Sequence, residues 1–348
     1  MRIQPLPLLL PLAVLAACAP SPEQPAPIDV PWESPSPAAS PSPEPAASAP
    51  FPSAPSSTCA GAPSRGAATR GAASTVRSWC LYYGPATEEA LERLAGYELV
   101  VVDPAALGAN AADAIAALKR RGCLVAGYLS MFEIASWHRY RPRIPREWIV
   151  LDADGTPWAP WGGKDVGWEG NLAASFAEPG WRAMLADLVQ SEVLDYGCDG
   201  VFMDTLEDLD FASMPAAERE RQFDGARRLM AELDARYPDA FFIANRALQR
   251  ALDAVGDHID ALCWESFAPK YFADPQTRTW MEQVAAHVAE RQAAHPFRVL
   301  ALWTDEKPGP DNAAQQETMR SIALEHGYLP FCSTGGYHRL PAPAPAAR

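Results

Sequence analysis

Short apolar runs alternate with helix-like segments from residue 78 to the end of the chain. The runs are apolar throughout, which is typical of strands covered on both faces of a parallel sheet. In the segments between them, apolar residues recur every three or four positions, as on one face of a helix. The predicted strands span residues 79–84, 98–104, 123–130, 199–205, 240–246, 260–266, 298–306 and 327–333. The predicted helices span residues 87–94, 109–121, 181–196, 216–237, 277–294 and 312–326.

This alternation predicts the fold class. Eight strands and their helices over roughly 265 residues match the size and rhythm of an α/β protein of the (β/α)8 TIM-barrel type. A doubly wound sheet is the alternative, and it usually carries a glycine-rich phosphate loop after its first strand. The stretch WCLYYGPATEEA after the first strand signal has no such loop. We therefore expect one barrel domain over residues 74–340.

The N-terminus has the pattern of an export signal. Met1-Arg2 precedes an apolar run that is too short to cross a bilayer, and the run ends in the string LAAC at Cys18. Residues 1–17 are therefore predicted to be a signal peptide. The string is similar to the bacterial lipoprotein box, which implies that Cys18 is lipidated. Because Ala19 follows it, the resemblance also implies sorting to the outer membrane, whereas a plain signal peptide is the alternative.

The composition changes between the signal and the barrel. Fourteen of the 35 prolines fall between residues 19 and 73, among alanines and serines. Such a stretch cannot bury enough apolar surface to offset its ordering entropy. Residues 18–73 are thus predicted to be a disordered tether, and residues 341–348, with three more prolines, a disordered tail. The body has no apolar run of about 18 residues, so we expect membrane attachment through the lipid anchor only.

Charge and cysteine content narrow the possible partners. The net charge of −14 argues against nucleic acid, which requires a clustered basic face, but it permits a cationic substrate. The cysteines beyond Cys18 lack the spacing of a zinc site, and no cofactor motif occurs. Disulfides can form outside the cytoplasm. Cys123 and Cys198, which precede neighbouring predicted strands, are the candidate pair, and buried free thiols are the alternative.

Polar residues close most of the predicted strands. In a TIM barrel the active site lies at the carboxyl ends of the strands, so these side chains should converge. A charge that ends an apolar strand is costly unless it is paired or used. One such acid can merely cap the next helix, but a whole set predicts a site. In chain order the candidates are Tyr82, Tyr83, Asp103, Glu133, Asp204, Asn245, Glu265 and Asp305.

Two carboxyl groups at one rim suggest glycoside hydrolysis. One carboxyl protonates the leaving oxygen while the other attacks the anomeric carbon or activates water. Asp204 and Glu265, at the ends of the fourth and sixth predicted strands, are the predicted catalytic pair. Aromatic rings near the rim could stack on the apolar faces of sugars. We expect this of Trp168, Trp264 and Trp303, with Trp158, Trp161 and Tyr271 nearby.

Other chemistries have little support in the sequence. It contains no GxSxG nucleophile elbow, no Walker loop and no HExxH string. Asp103, Asp204 and Asp305 could together hold a divalent cation, which is the weaker use of these acids. We therefore expect a site without a metal ion.

The order of several short strings resembles glycoside hydrolase family 114, the endo-α-1,4-polygalactosaminidase family. They are the YY pair after strand 1, VVVDP, GYLS with a following Glu, GVFMDT, an Asn that closes strand 5, and WES, between about residues 79 and 340. The resemblance implies a (β/α)8 barrel that cleaves α-1,4-linked galactosamine polymers. By analogy with related barrel α-glycosidases, it implies Asp204 as nucleophile and Glu265 as acid/base, with retention of configuration. Asp103, Glu133 and Asn245 would then bind or support the substrate.

The turn after strand 3 departs from the family pattern. The family more often has a small residue and a glycine before the Glu at this point, where this chain has Met131-Phe132. The function predicted is an exported, lipid-anchored and monomeric glycoside hydrolase whose partner is a polysaccharide. A non-catalytic glycan-binding lipoprotein on the same barrel is one alternative. A hydrolase of a different polysaccharide is the other.

Overall fold

The computed structural model describes residues 71–159, 170–305 and 312–342. Eight parallel strands pair side by side in the order in which they occur along the chain. Each strand is therefore followed by a helical connection that returns to the start of the next, as in a (β/α)8 barrel. The strands are β1 (Trp79–Tyr82), β2 (Leu99–Val102), β3 (Leu124–Ser130), β4 (Gly200–Asp204), β5 (Phe241–Asn245), β6 (Ala261–Glu265), β7 (Arg298–Asp305) and β8 (Leu329–Thr334).

The helices pack around this sheet. Several of them are capped by the side chain of the preceding residue, as where Thr87 accepts a hydrogen bond from the Ala90 backbone N–H and Asp274 accepts one from the Thr277 N–H. Other helices begin with proline at the first position, where no backbone N–H is needed. The described α-helices are α1 (Glu88–Leu94), α2 (Pro104–Leu107), α3 (Ala111–Arg120), α4 (Pro179–Leu188), α5 (Ala216–Arg236), α6 (Arg250–Val255), α7 (Pro269–Ala273), α8 (Pro275–Ala294) and α9 (Asn312–Glu325).

The seam between β8 and β1 is held by side chains and loops. The indole Nε1 of Trp79 donates to the Leu329 carbonyl oxygen at 2.9 Å. The Trp79 ring also contacts Phe331 at 5.4 Å between centroids. Beyond the strand ends, the Tyr83 backbone N–H donates to the Tyr337 carbonyl at 2.7 Å. These contacts bring the last strand to the first and confirm the predicted barrel.

The register of the strands separates an inward face from an outward face, because successive side chains on a strand point in opposite directions. A side chain on Gly127 would lie 2.7 Å from Val193 in the helical layer, so this phase of β3 faces outward. Val102 and Tyr82 share the register of Gly127 and face outward with it. Tyr128, the next residue of β3, faces the interior of the barrel.

The predicted strands and most predicted helices are confirmed to within a few residues. One helix is different: α4 ends at Leu188, and the chain continues as a π-helical stretch over Val189–Val193 and a 3-10 turn over Leu194–Tyr196. The sequence pattern also missed a small two-stranded antiparallel sheet, in which Glu133–Ile134 pairs with Leu172–Ala173. Its strands are too short to give a recognisable apolar run.

The proposed disulfide between Cys123 and Cys198 is wrong, because both are free, buried thiols. The Cys198 sulfur packs near Gly127, 3.1 Å from the position that a Cβ on this glycine would take. Gly127 lies four residues further along the chain than Cys123. The two side chains therefore do not face each other. Cys80, Cys263 and Cys332 are free as well.

The N-terminal 70 residues lie outside the described residues, as do residues 160–169, 306–311 and 343–348. The signal peptide, Cys18, Cys59, the tether and the C-terminal tail therefore stay predictions. The domain boundaries at residues 74 and 340 also stay predictions. Among the helices that are described, none is both long enough and apolar enough to cross a bilayer.

Candidate active site

Three adjacent strands end in polar side chains that meet inside the barrel mouth. Asp204 ends β4, Asn245 ends β5 and Glu265 ends β6. The Asn245 amide nitrogen donates to Asp204 Oδ1 at 2.8 Å and to Glu265 Oε2 at 2.6 Å. One side-chain amide thus bridges the two carboxyl groups and holds them facing each other.

Three tyrosines surround this pair. The Tyr337 hydroxyl donates a short hydrogen bond to Glu265 Oε1. The Tyr128 hydroxyl donates to Asp204. Tyr83 packs between them, with ring centroids 5.2 Å from Tyr128 and 5.6 Å from Tyr337. Tyr128 and Tyr337 thus each hold one carboxyl group by a hydrogen bond.

The surroundings of Asp204 alter its acidity. Burial raises the pKa of Asp204, and the neighbouring charge of Glu265 raises it further. Hydrogen bonds from Asn245 and Tyr128 act in the opposite sense, because they stabilise the ionised form. A negative charge on Glu265 therefore makes Asp204 harder to ionise. The pair can therefore hold one acid and one carboxylate, as glycoside hydrolysis needs.

Each of these strand ends is followed by a residue in a strained backbone conformation. Thr205, Arg246 and Ser266 have φ angles of 66°, 55° and 60°. No other non-glycine residue among the described residues has a positive φ. Such conformations cost energy and tend to occur where the surrounding structure fixes a functional group. The strain follows Asp204 and Glu265 directly, so it marks the same site as the hydrogen bonds do.

Thr205 also connects β4 to the turn after β3. Its hydroxyl oxygen accepts hydrogen bonds from the backbone N–H groups of Phe132, at 2.9 Å, and Glu133, at 3.1 Å. Met131 and Phe132, the bulky departure from the family pattern, are fully buried. Their burial and the Thr205 contacts fix the turn that presents Glu133 to the cleft.

A buried cation lies behind the carboxyl pair. The Arg246 guanidinium is 2.9 Å from Glu207 Oε1, and both side chains are at least 85% buried. Burial alone would lower the pKa of Arg246, but the charges of Glu207, Glu265 and Asp204 raise it instead. Arg246 therefore stays protonated and offsets part of the negative charge that the site concentrates. The sequence pattern gave no reason to single out either Arg246 or Glu207.

One carboxyl of the pair, that of Asp204, lines a cleft of about 430 Å³. Asp204, Asp103 and Glu133 line it, so three predicted site residues share one cavity. Asp103 also caps α2, accepting from the Ala105 N–H at 2.9 Å, and burial raises its pKa. Glu133 is held by the Asn171 amide at 3.4 Å. The cleft therefore gathers three carboxyl groups on one concave surface.

Four predicted site residues lie on the other face of the barrel wall. Glu265 is aligned with Leu302, so Trp303 and Asp305 belong to the outward phase of β7. Asp305 accepts from Asn312 Nδ2 at 2.6 Å and thereby anchors α9. The prediction that it binds substrate is therefore corrected. It also cannot join Asp103 and Asp204 around a cation.

Trp264 and Tyr82 need the same correction. Trp264 is 1% exposed and packs between Phe267 and Tyr328, at 5.3 and 6.0 Å, so no sugar can stack on it. Tyr82 is buried and its hydroxyl donates to the Pro85 carbonyl at 3.0 Å. Both residues follow the outward phase of their strands. The sequence rule counted residues at strand ends without assigning which face each one takes.

The remaining aromatic candidates are distributed differently. Trp303 is partly buried and packs against the hydrophobic core. Trp158 is 3% exposed, near Phe132, and Tyr271 lies under Lys270. The predicted sugar contacts of Trp168 and Trp161 fall on residues outside the described part of the chain.

Two residues of the site had no signal that the sequence analysis used. Tyr128 lies within β3, two residues before its end, and only the inward phase of the strand brings it to Asp204. Tyr337 lies in the loop after β8, which folds back over the barrel mouth. Within the described residues, no cluster of His, Cys, Asp and Glu has the arrangement of a metal site.

Comparison with known proteins identifies the family and the fold of the chain. The model of "Glycoside-hydrolase family GH114" matches residues 62–281. The glycoside hydrolase domain of PelA from Pseudomonas aeruginosa has 20% identity and a TM-score of 0.57, over 77% of this chain and 98% of that chain. Aspergillus fumigatus Ega3, solved in complex with galactosamine, has 16% identity and a TM-score of 0.52, over 76% and 92%. No curated protein matches the sequence.

Proposed function

Since the chain belongs to glycoside hydrolase family GH114, we propose that it cleaves α-1,4-linked galactosamine-containing polysaccharide with Asp204 and Glu265 as its catalytic pair. The observation that carries this proposal is the Asn245 amide bridging the two carboxyl groups. Ega3, which has the same fold, was solved in complex with galactosamine, and this supports the choice of sugar. The acidic cleft suits a sugar that carries an ammonium group.

The separation of the carboxyl groups favours retention of configuration. Because they share one amide nitrogen, the two facing oxygens are at most about 5.4 Å apart, which is closer to the ~5–5.5 Å of retaining enzymes than to the ~6.5–9.5 Å of inverting ones. An inverting enzyme needs space for a water molecule between its second carboxylate and the sugar. The bridged pair leaves no such space.

In the proposed reaction Asp204 is the nucleophile and Glu265 the acid/base. A carboxylate oxygen of Asp204 bonds to the anomeric carbon while Glu265 gives its proton to the departing glycosidic oxygen. Tyr337 and Asn245 then donate to the Glu265 carboxylate that this step leaves. Glu265 next takes a proton from water, and the water oxygen displaces Asp204 from the sugar. The donors on Asp204 favour the ionised form that attack requires.

Asp103 and Glu133 are proposed to bind the substrate near the cleavage point. Both line the cleft that Asp204 enters. A carboxylate beside a sugar ammonium forms a charge-assisted hydrogen bond, which is stronger than a neutral one. We expect Asp103→Asn and Glu133→Gln to raise KM for deacetylated polymer more than for acetylated polymer.

The location is also part of the proposal. The signal over residues 1–17, the lipidated Cys18 and the tether would place the barrel outside the cytoplasm, attached to the outer membrane. Expression of Cys18→Ala beside wild type tests this. Wild type should fractionate with outer membranes and yield a lipid-modified N-terminal peptide, whereas the variant should be soluble. An unmodified, soluble wild type would contradict the anchor.

The test of activity uses the mature chain and α-1,4-galactosamine-rich polysaccharide, with products followed by mass spectrometry and by the anomeric signals in proton NMR. We expect oligosaccharides whose new reducing ends are first of the α configuration. First appearance of the β anomer would contradict retention. Cleavage only of other glycans in a panel would overturn the proposed substrate, and binding without cleavage would indicate a glycan-binding protein.

Azide distinguishes the two carboxyl roles. With Asp204→Gly, azide can enter in place of the nucleophile and should give a β-glycosyl azide from an activated α-galactosaminide. With Glu265→Ala, azide should attack the glycosyl-enzyme and give the α-glycosyl azide. The reversed pattern would exchange the two assignments without removing the pair from the reaction.

A further inference from the structure

The cleft that contains Asp204 is lined by residues from more than one loop. Asp204 and Thr205 line it together with Trp137, His138 and Arg139, which lie in the loop after the short strand Glu133–Ile134. No sequence pattern singled out this loop. Its position means that a chain with one sugar at Asp204 can reach the loop with another.

Trp137 is the most exposed large apolar side chain in the described part of the protein, at 74%. An indole ring left in water at one surface gains nothing for the fold. Here it stands on the wall of a cleft, where a ring can be covered by a ligand. Stacking on the apolar face of a sugar would remove it from water, because an aromatic side chain offers a large, flat area with little conformational entropy to lose.

The loop that carries Trp137 is fixed by its neighbours. His138 donates its backbone N–H to the Ala135 carbonyl at 3.1 Å, and its Nδ1 accepts the Ala135 N–H at 3.2 Å. The imidazole stacks on Tyr140, with centroids 4.9 Å apart and planes at 25°. Because Nδ1 is an acceptor, the ring proton is on Nε2. His138 also lines the cleft, beside the Trp137 indole, and has Nε2 as its one ring N–H donor.

The opposite wall comes from the π-helical stretch after α4. Glu192 lies in that stretch and lines the cleft. It binds Arg139, next to His138, at 2.7 Å. π-Helical turns often occur at functional sites, where the extra residue redirects a side chain. The ion pair ties the loop to the helical layer and leaves a carboxylate in the lining of the cleft.

We propose that Trp137, His138 and Glu192 form a second sugar subsite, which holds a unit of the same polysaccharide away from the bond that is cleaved. Trp137 supplies the stacking face, His138 Nε2 donates to a hydroxyl or ring oxygen, and Glu192 faces the amine or a hydroxyl. This rests on the proposed function. A second subsite makes the enzyme prefer internal bonds of long chains, since a short oligosaccharide cannot fill the catalytic site and the second subsite together.

The test compares Trp137→Ala with wild type in the full mature chain. On long galactosamine polymer we expect kcat/KM to fall roughly tenfold through KM. The fall should shrink to nothing on the shortest oligosaccharides that are cleaved. Trp137→Tyr should recover most of the loss. Leu324→Ala is the matched control, because it truncates another exposed apolar residue, 57% exposed on α9, outside the cleft.

Binding is measured independently of turnover in the Asp204→Asn background by calorimetry with oligosaccharides of increasing length. A gain in affinity with length that disappears in Asp204→Asn/Trp137→Ala supports the subsite. Equal affinity and equal polymer cleavage with and without Trp137 would overturn it and leave the proposed function intact. Length-dependent binding through Trp137 in a wild type that cleaves nothing would overturn the proposed function and leave the subsite.

Discussion

Two faces of the same barrel wall use their strand-end residues in opposite ways. On the inward face, Asp204 and Glu265 end β4 and β6 and share the Asn245 amide. On the outward face, Asp305 ends β7 and also accepts a hydrogen bond from an asparagine, Asn312. The inward Asp204 lines a cleft, whereas the outward Asp305 ties a helix to the sheet.

The difference between the two faces is one residue of register. Leu302 is aligned with Glu265, so Thr304 has the inward phase of β7 and Asp305 the outward one. An acid at the carboxyl end of a barrel strand is therefore a candidate for catalysis only when its phase is inward. Residue type and distance along the strand do not separate Asp204 from Asp305.

The largest expected effect is the difference in activity between variants of the two aspartates, Asp204 and Asp305. Asp204→Asn should lower kcat by at least about a thousandfold, as loss of a catalytic nucleophile does. Asp305→Asn, with the same loss of one charge, should leave kcat and KM within about twofold, because small binding changes outside the site are close to neutral. Both are measured on galactosamine polymer with enzyme whose folding is checked by circular dichroism. An equal loss in the two variants would contradict the distinction.

The fold was predictable because its signal is repeated. Eight apolar runs and the intervening helical spacing each point to the same barrel, and the observed elements follow them closely. The meeting of Asp204, Asn245 and Glu265 was predictable because polar residues end these runs, whereas their catalytic roles stay predictions. Tyr82, Trp264 and Asp305 were placed on the wrong face, and Trp303 lies on the outward phase as well, because the strand register had to be known. Tyr337 could not be predicted from the sequence, because only the tertiary fold brings its loop to Glu265.

Aromatic residues on the two faces should differ in whether their loss lowers stability or activity. Trp264→Ala removes a ring that is fully packed on the outward face, so it should lower the free energy of unfolding by about 3–5 kcal/mol. The activity of the folded fraction should be unchanged. Tyr83→Phe removes only a hydroxyl on the inward face and should lower kcat roughly tenfold with little change in stability. Urea unfolding and initial rates on the same samples separate the two outcomes, and an exchange of the two effects would contradict the assigned faces.

The bridging asparagine gives the next effect. Asn245→Leu removes the donor shared by the two carboxyls, and we expect a loss of about a hundredfold in kcat/KM. The direction of the pH shift follows from the hydrogen bond. Asn245 stabilises the ionised form of Asp204, so its removal raises the pKa of Asp204 further. The nucleophile must be ionised, and the acid limb of the kcat/KM profile should therefore move to higher pH.

Asn312→Leu is the matched control for this shift. It removes the same kind of amide from the outward Asp305 at a similar distance. We expect it to weaken the attachment of α9 and to leave the acid limb where wild type has it. A limb that stays in place in Asn245→Leu, or moves equally in both variants, would show that the bridge does not control the acidity of Asp204.

The smallest effect concerns the strained residue after Glu265. Ser266 has a φ of 60°, and the described residues with this strain all follow inward strand ends. A β-carbon in the left-handed region costs about 1–2 kcal/mol, which glycine avoids, whereas glycine loses part of that gain to the entropy of the unfolded chain. Ser266→Gly should therefore be more stable than Ser266→Ala by about 1 kcal/mol in urea unfolding. If the strain also fixes Glu265, the glycine variant should be the slower enzyme of the two despite its greater stability. Equal rates would mean that the hydrogen bonds from Asn245 and Tyr337 are sufficient to position that carboxyl.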